Sequence, residues 1–242
     1  MLTGRFKTAL YYESVGGKIM KKFLCLRITV AVMVFMCACI FGYSVSAETV
    51  ADQYTWRNAS LGGGGYITGL VFCEDGTVYA RCDVGGVYKW NAAEKRWDAL
   101  TEWITSDQSN LFGVDGIASE NSNSNVVYAA LGKYDTQQPH GLYKSTDGGK
   151  SWEQTAFKGV FGGNKDDRFR GEPIAINPFN NLEIMVASRD GLLQKSKDGG
   201  KTWESISDFP SKQFGKYTRV VAYDNKNAGT VYADIKDNGL YR

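Results

Sequence analysis

The residue whose surroundings best suit chemistry is Asp83, which follows the segment Val78-Tyr79-Ala80-Arg81-Cys82 and precedes Gly85-Gly86. A carboxylate at a strand end, with glycines beside it, can project into a cleft and act as a general acid or base. The same residue in a tight turn would do no more than cap its own backbone. Few other groups compete. His140 is the only histidine, so a Ser or Cys nucleophile paired with a His base is excluded unless His140 serves as that base. No His/Cys grouping has metal-ligand spacing, and neither a metal nor another cofactor is expected. The run Gly62-Gly63-Gly64-Gly65 lacks the Lys-Ser/Thr pair and the following helix of a phosphate loop. It reads as backbone that closely approaches another strand or a sugar ring.

The elements that must position Asp83 are repeats. Ser145-Thr146-Asp147-Gly148-Gly149-Lys150-Ser151-Trp152 recurs as Ser196-Lys197-Asp198-Gly199-Gly200-Lys201-Thr202-Trp203, 51 residues later. Before each copy stand two short strand patterns, such as Val127-Tyr128-Ala129-Ala130 and Gly141-Leu142-Tyr143-Lys144. Similar pairs lead to Gly86-Val87-Tyr88-Lys89-Trp90 and to Gly239-Leu240-Tyr241-Arg242, which makes four repeats of about 50 residues. Alternating short strands between Gly/Asp/Asn turns, without a helical period, predict an all-β chain of four-stranded antiparallel propeller blades. The S-x-D-x-G-x-x-W string is the Asp-box of sialidase-like propellers. Its Ser145, Asp147, Gly149 and Trp152, and its Ser196, Asp198, Gly200 and Trp203, read as structural. The Asp accepts backbone N–H groups across the turn, the Gly takes a positive φ, and the Trp packs between sheets. The first repeat is the exception, since it has no Asp-box.

Charge and the N-terminus bound the remaining classes. Lys plus Arg number 28 against 26 Asp plus Glu, a net charge of +2 without a basic stripe, and no nucleic-acid partner is expected. Met20-Lys21-Lys22, the apolar stretch from Ile28 to Phe41 and Val45-Ser46-Ala47 read as a bacterial signal peptide over 20–47, cleaved after Ala47, which implies a secreted product. The apolar run is shorter than the roughly 20 residues of a spanning helix, so no stable membrane anchor is expected. Residues 1–19 read as an upstream extension, with Gly16-Gly17-Lys18 compatible with the codons of a ribosome-binding site. Residues 48–242 read as a partial N-terminal propeller, about four blades with the last cut within its repeat, and poor folding in isolation is the expectation. Cys25, Cys37 and Cys39 fall in the signal segment, leaving Cys73 and Cys82 either as one disulfide or as two buried thiols.

The string W-x-N-x-x-x-GGGGY-x-x-G from Trp56, then YAR-x-D-x-GG-x-Y-x-W from Tyr79, then Leu100-Thr101-Glu102-Trp103, resembles the opening of glycoside hydrolase family 74. Gly113-Val114-Asp115-Gly116-Ile117-Ala118 and Arg170-Gly171-Glu172 before Ile174-Ala175-Ile176-Asn177-Pro178 extend the resemblance over residues 54–242. The resemblance implies a two-propeller enzyme that cuts xyloglucan or a related β-1,4-glucan of plant cell walls with inversion. It implies Asp83 as general base, with the general acid in a second, C-terminal propeller. Arg81, Asp115 and Glu172 are lesser candidates for polar groups of a substrate-binding cleft, and Tyr66, Tyr88 and Trp90 read either as aromatic platforms for sugar rings or as blade core. Cys82 departs from the family, which more often carries Thr beside this Asp. Two other readings compete. A sialidase would share the Asp-boxes, and Phe169-Arg170-Gly171-Glu172-Pro173 resembles its Arg motif, but its Tyr/Glu and Arg triad cannot be assembled here. A non-catalytic propeller, sortilin-like or assembly-factor-like, would explain the boxes but not the GGGGY and YAR-x-D-x-GG strings.

Overall fold

The computed structural model describes residues 55–211 and 215–242; the signal peptide and the upstream extension read from the sequence lie outside the described residues. The first sheet holds β1 (Ile67–Phe72), β2 (Val78–Cys82), β3 (Gly86–Asn91) and β4 (Arg96–Ala99). The second holds β5 (Val114–Ser119), β6 (Val127–Leu131), β7 (Gly141–Ser145) and β8 (Glu153–Gln154). In the third are β9 (Ile174–Asn177), β10 (Asn180–Ala187), β11 (Leu193–Ser196) and β12 (Glu204–Ser205). The fourth has β13 (Thr218–Tyr223), β14 (Val231–Ile235) and β15 (Gly239–Tyr241). Within each sheet the strands follow chain order and pair antiparallel.

These are propeller blades. The first strands β1, β5, β9 and β13 lie against one another in succession. The apolar cores sit between consecutive sheets: Tyr79 and Val87 with Val114 and Val127, then Tyr128 and Leu142 with Ile174 and Val186, then Ala187 and Leu193 with Val221. Such stacking excludes water from both faces of a blade, which is why β6 is buried at all five positions instead of alternating. One stretch departs from the strand-only expectation. Ser106–Phe112 is a 3-10 segment that buries Asn110 and Leu111, too short to leave a periodic apolar stripe in the sequence. Cys73 and Cys82 are both free and buried.

Each Asp-box is a closed hydrogen-bonded turn. Asp147 Oδ1 accepts the Ser151 N–H at 2.9 Å and its Oδ2 the Ser151 hydroxyl at 2.6 Å, while Gly149 N–H donates to Ser145 Oγ at 2.8 Å. The second copy repeats this with Asp198, Thr202, Gly200 and Ser196. Gly149 and Gly200 stand at φ 91° and 90°, the left-handed region that disfavours a side chain. Trp152 Nε1 donates to the Leu100 carbonyl of the preceding blade at 3.0 Å, and Trp203 meets Phe157 edge to face at 5.2 Å. Donation from the Thr202 hydroxyl and N–H holds the Asp198 carboxyl down at about 2. Its folded value lies below its unfolded one, so the turn is fully stabilising above about pH 4 and loses that stabilisation as pH falls through about 2. Melting temperatures of the parent and Asp198→Asn should therefore differ at neutral pH and converge near pH 2. A difference that persists unchanged at pH 2 would contradict the staple.

One residue meets all four sheets. Glu172, just before β9, accepts Arg81 Nε of β2 on Oε1 at 2.7 Å and the Ile117 N–H of β5 on Oε2 at 2.8 Å. Its carbonyl accepts the Val221 N–H of β13 at 3.1 Å.

Candidate active site

The hairpin β2–β3 delivers Asp83. After Cys82 the chain turns through Asp83-Val84-Gly85, and Gly86, at φ 89°, opens β3 with Thr101 Oγ1 where a Cβ would stand. The glycine run folds back over this turn. A Cβ on Gly63 would lie 2.1 Å from the Tyr88 hydroxyl, and one on Gly85 2.5 Å from the Gly64 carbonyl. Gly63 and Gly65 thus serve close backbone approach to the hairpin, whereas a Cβ on Gly62 or Gly64 would meet nothing within 4 Å.

Asp83 is 1% exposed and both of its oxygens are engaged. Oδ1 accepts the Tyr66 N–H at 2.8 Å, and Cys82 Sγ lies 3.6 Å away. Oδ2 accepts Arg168 Nη1 at 3.0 Å. The Arg168 guanidinium also lies 5.7 Å from the centre of the Tyr66 ring, which meets Phe169 edge to face at 6.4 Å. Tyr66 and Phe169 are 63% and 65% exposed, so an open aromatic pair adjoins a covered carboxylate through one arginine. Gly65 is part of this fit. At φ 97°, a Cβ there would stand 2.5 Å from Asp83 Oδ1 and 2.7 Å from Cys82 Sγ. Gly65→Ala should cost about 2 kcal/mol of stability through backbone strain alone. It should also displace the Asp83 carboxylate; a variant that melts with the parent would refute the fit.

The other candidates are placed as follows. Arg81 is 0% exposed, and besides Glu172 it donates to Thr68 Oγ1 at 2.8 Å and the Gly171 carbonyl at 2.9 Å. Burial pushes the Glu172 carboxyl upward, against the pull of Arg81. Asp115 is 0% exposed and accepts Arg170 Nη2, Arg189 Nε and Nη2, and the Gly162 N–H, all within 3.0 Å. Burial alone would raise its carboxyl, but Arg170 and Arg189 outweigh it and hold the group at about 2. Arg189 also binds Asp167, and Arg170, Arg189 and Lys236 all lie over the Tyr217 ring at 5.2–5.3 Å. Tyr88 is buried beneath Gly63 and lines a cavity of about 370 Å³ with Trp97 and Glu102. Trp90 pairs edge to face with Trp97 across β3 and β4. The structure therefore brings Asp83 and Tyr66 together, pairs Arg81 with Glu172, and sets Asp115 in a separate arginine cluster. Sequence reasoning missed Arg168 and Phe169. The charge alternation of Asp166-Asp167-Arg168-Phe169-Arg170 was the available signal. Among the described residues no group of His, Cys, Asp and Glu is arranged to hold a metal ion.

No protein-family profile matches the chain. It is 33% identical over 202 residues to an oligoxyloglucan-reducing end-specific xyloglucanase of Emericella nidulans, matching 81% of this chain and 25% of the relative. A xyloglucanase of Acetivibrio thermocellus is 34% identical over 201 residues, 80% of this chain and 24% of the relative. Among solved structures, the family 74 xyloglucanase from Xanthomonas campestris superposes with a TM-score of 0.67 at 30% identity, covering 77% of this chain and 30% of that one. The chain is related to glycoside hydrolase family 74. It spans about a quarter of the length of the curated relatives it matches. The family 74 relationship agrees with the sheets described above.

Proposed function

We propose that this chain forms one wall of a xyloglucan-cutting site in a secreted glycoside hydrolase, with Asp83 as the general base that activates the attacking water. The observation that carries the reading is the juxtaposition of a strand-end carboxylate with an open aromatic pair. Asp83 is held by the Tyr66 N–H and Arg168, and Tyr66 and Phe169 present exposed rings beside it. Aromatic faces suit the apolar faces of pyranose rings, and a fixed carboxylate suits the removal of a proton from water. Inversion requires a second carboxyl group about 6.5–9.5 Å away, with room for that water. In this reading the second propeller implied by the family supplies it as general acid. Arg168 covers Oδ2 and shifts when substrate occupies the Tyr66–Phe169 platform, uncovering the base. Residues 20–47 serve export; among the described residues no helix is long and apolar enough to cross a membrane.

The test is to express the complete gene product containing these residues, without the signal segment, and to assay it on xyloglucan beside Asp83→Ala. Release of reducing sugar by the parent and its loss in the variant are expected. Binding without cutting would replace this reading with that of a non-catalytic propeller, and equal cutting by both would remove Asp83 from the role of base.

A further inference from the structure

The glycine run has a second side. Gly65 packs against Asp83, whereas Gly62 and Gly63 line the cavity of about 370 Å³, as does Gly85 two residues after Asp83. That volume falls within the range of small-molecule sites, about 300–1,000 Å³. The walls are largely aromatic. Trp97 is set by edge-to-face packing on Trp90 at 5.4 Å, and Tyr88 and Phe112 extend the lining. Two polar groups of the lining are uncommitted. Among the described residues the Tyr88 hydroxyl and the exposed Glu102 carboxylate make no hydrogen bond or ion pair. Burial first, then the nearby Cys82 and Glu102, push the Tyr88 hydroxyl up, which keeps it protonated and able to donate. Arg96, which supplies the cation of the lining, is already paired with Glu94 and Asp98. A Cβ on Gly62 would meet nothing within 4 Å, so that wall is clear.

We propose that this pocket takes one uncharged sugar ring, its apolar face on Trp97 and its hydroxyls on Glu102 and the Tyr88 hydroxyl. Other ligand classes fit the lining less well. An anion finds no uncommitted cation, and a cationic ligand would meet Arg96. A wholly apolar ligand would suit the rings but would strip Glu102 and Tyr88 of water without return. A pyranose serves both kinds of wall, because each of its hydroxyls can donate to a carboxylate and accept from a phenol. That the ring belongs to a xyloglucan chain rests on the hydrolase reading. The pocket itself rests on its own lining.

The test uses the complete gene product with isotope-labelled tryptophan, titrated with the methyl glycosides of xylose, glucose and galactose, and with choline. The indole resonance that disappears in Trp97→Phe should move with a millimolar midpoint for at least one glycoside and stay fixed with choline. In Glu102→Gln, an exposed change that leaves the melting temperature in place, the affinity should fall about tenfold or more. No movement with any glycoside, movement with choline instead, or equal affinity in Glu102→Gln overturns the proposal. Xyloglucan assays on the same preparations identify the source of the ring. A KM that rises in Glu102→Gln together with the lost glycoside affinity assigns it to the chain being cut; an unchanged KM assigns it to a separate glycan. The hydrolase reading fails separately. A parent that binds glycoside at Trp97 but cuts no xyloglucan keeps the pocket and loses the enzyme, whereas one that cuts without moving the Trp97 resonance loses only the pocket.

Discussion

Replacing Asp115 by alanine is expected to destabilise the protein by about 4 kcal/mol, enough to abolish cooperative folding in a marginal domain. Asp115 is fully buried, and it is the shared partner of Arg170 and Arg189, whose side chains are likewise covered. Removing the carboxylate leaves two guanidinium groups facing each other without water, and breaking a buried pair from one side costs far more than the intact pair contributes. Asp167 can neutralise only part of this, because it reaches Arg189 alone at hydrogen-bond distance. Asp115→Asn keeps the shape but not the charge and should fall between. The effect depends on pH with a fixed sign. The folded carboxyl sits at about 2, below its unfolded value near 4, so its contribution is complete above pH 4 and is lost as pH falls through about 2. Chemical denaturation of the parent and both variants from pH 2 to 7 measures this. A loss below about 1 kcal/mol at pH 7 would show that the arginines find water or other partners.

Asp83→Ala is expected to lower xyloglucan cleavage by the complete gene product by about 10³-fold or more, the upper part of the range for loss of a general base. That corresponds to about 4 kcal/mol of transition-state stabilisation. The loss should appear in kcat with KM nearly unchanged, because the Tyr66–Phe169 platform remains. Folding must be checked alongside, since the substitution frees the Arg168 guanidinium and the Tyr66 N–H. Arg168 is 23% exposed in its side chain and can turn to solvent, so the melting temperature should fall only slightly. A variant that loses activity only by unfolding would leave Asp83 a structural residue, and the base would have to be sought elsewhere.

How much of this was legible in the sequence follows from the range of the interactions. The Asp-boxes could be read because their bonds close within a few residues: Ser145, Asp147, Gly149 and Ser151 satisfy one another, so the turn is written as a contiguous string. The blade strands were legible through the same repetition. The site was legible only in part. Asp83 stood out by its place at a strand end, but its partner Arg168 lies 85 residues away, and nothing local encodes that pairing. Arg81, Asp115 and Glu172 were singled out as candidate polar groups of a cleft, while their partners were hidden for the same reason. Arg81 and Glu172 are 91 residues apart. The two cysteines were left open because spacing does not report register; β1 sets Ile67, not Cys73, opposite Cys82.

The position of Glu172 has a consequence for how the molecule comes apart. A radial array with contacts only between neighbours can shed its modules one by one from an end, each with its own unfolding free energy. Glu172 reaches the first sheet through Arg81, the second through Ile117, and the fourth through its carbonyl, from a place at the start of the third. Pulling on the N-terminal end should therefore not peel off the first sheet alone, because its departure takes Arg81 away from the Glu172 carboxylate and leaves that carboxylate without its counter-ion. Amide exchange of β2, β5 and β9 should accordingly follow one opening free energy, while the outer strands β4, β8 and β12 exchange sooner by fraying.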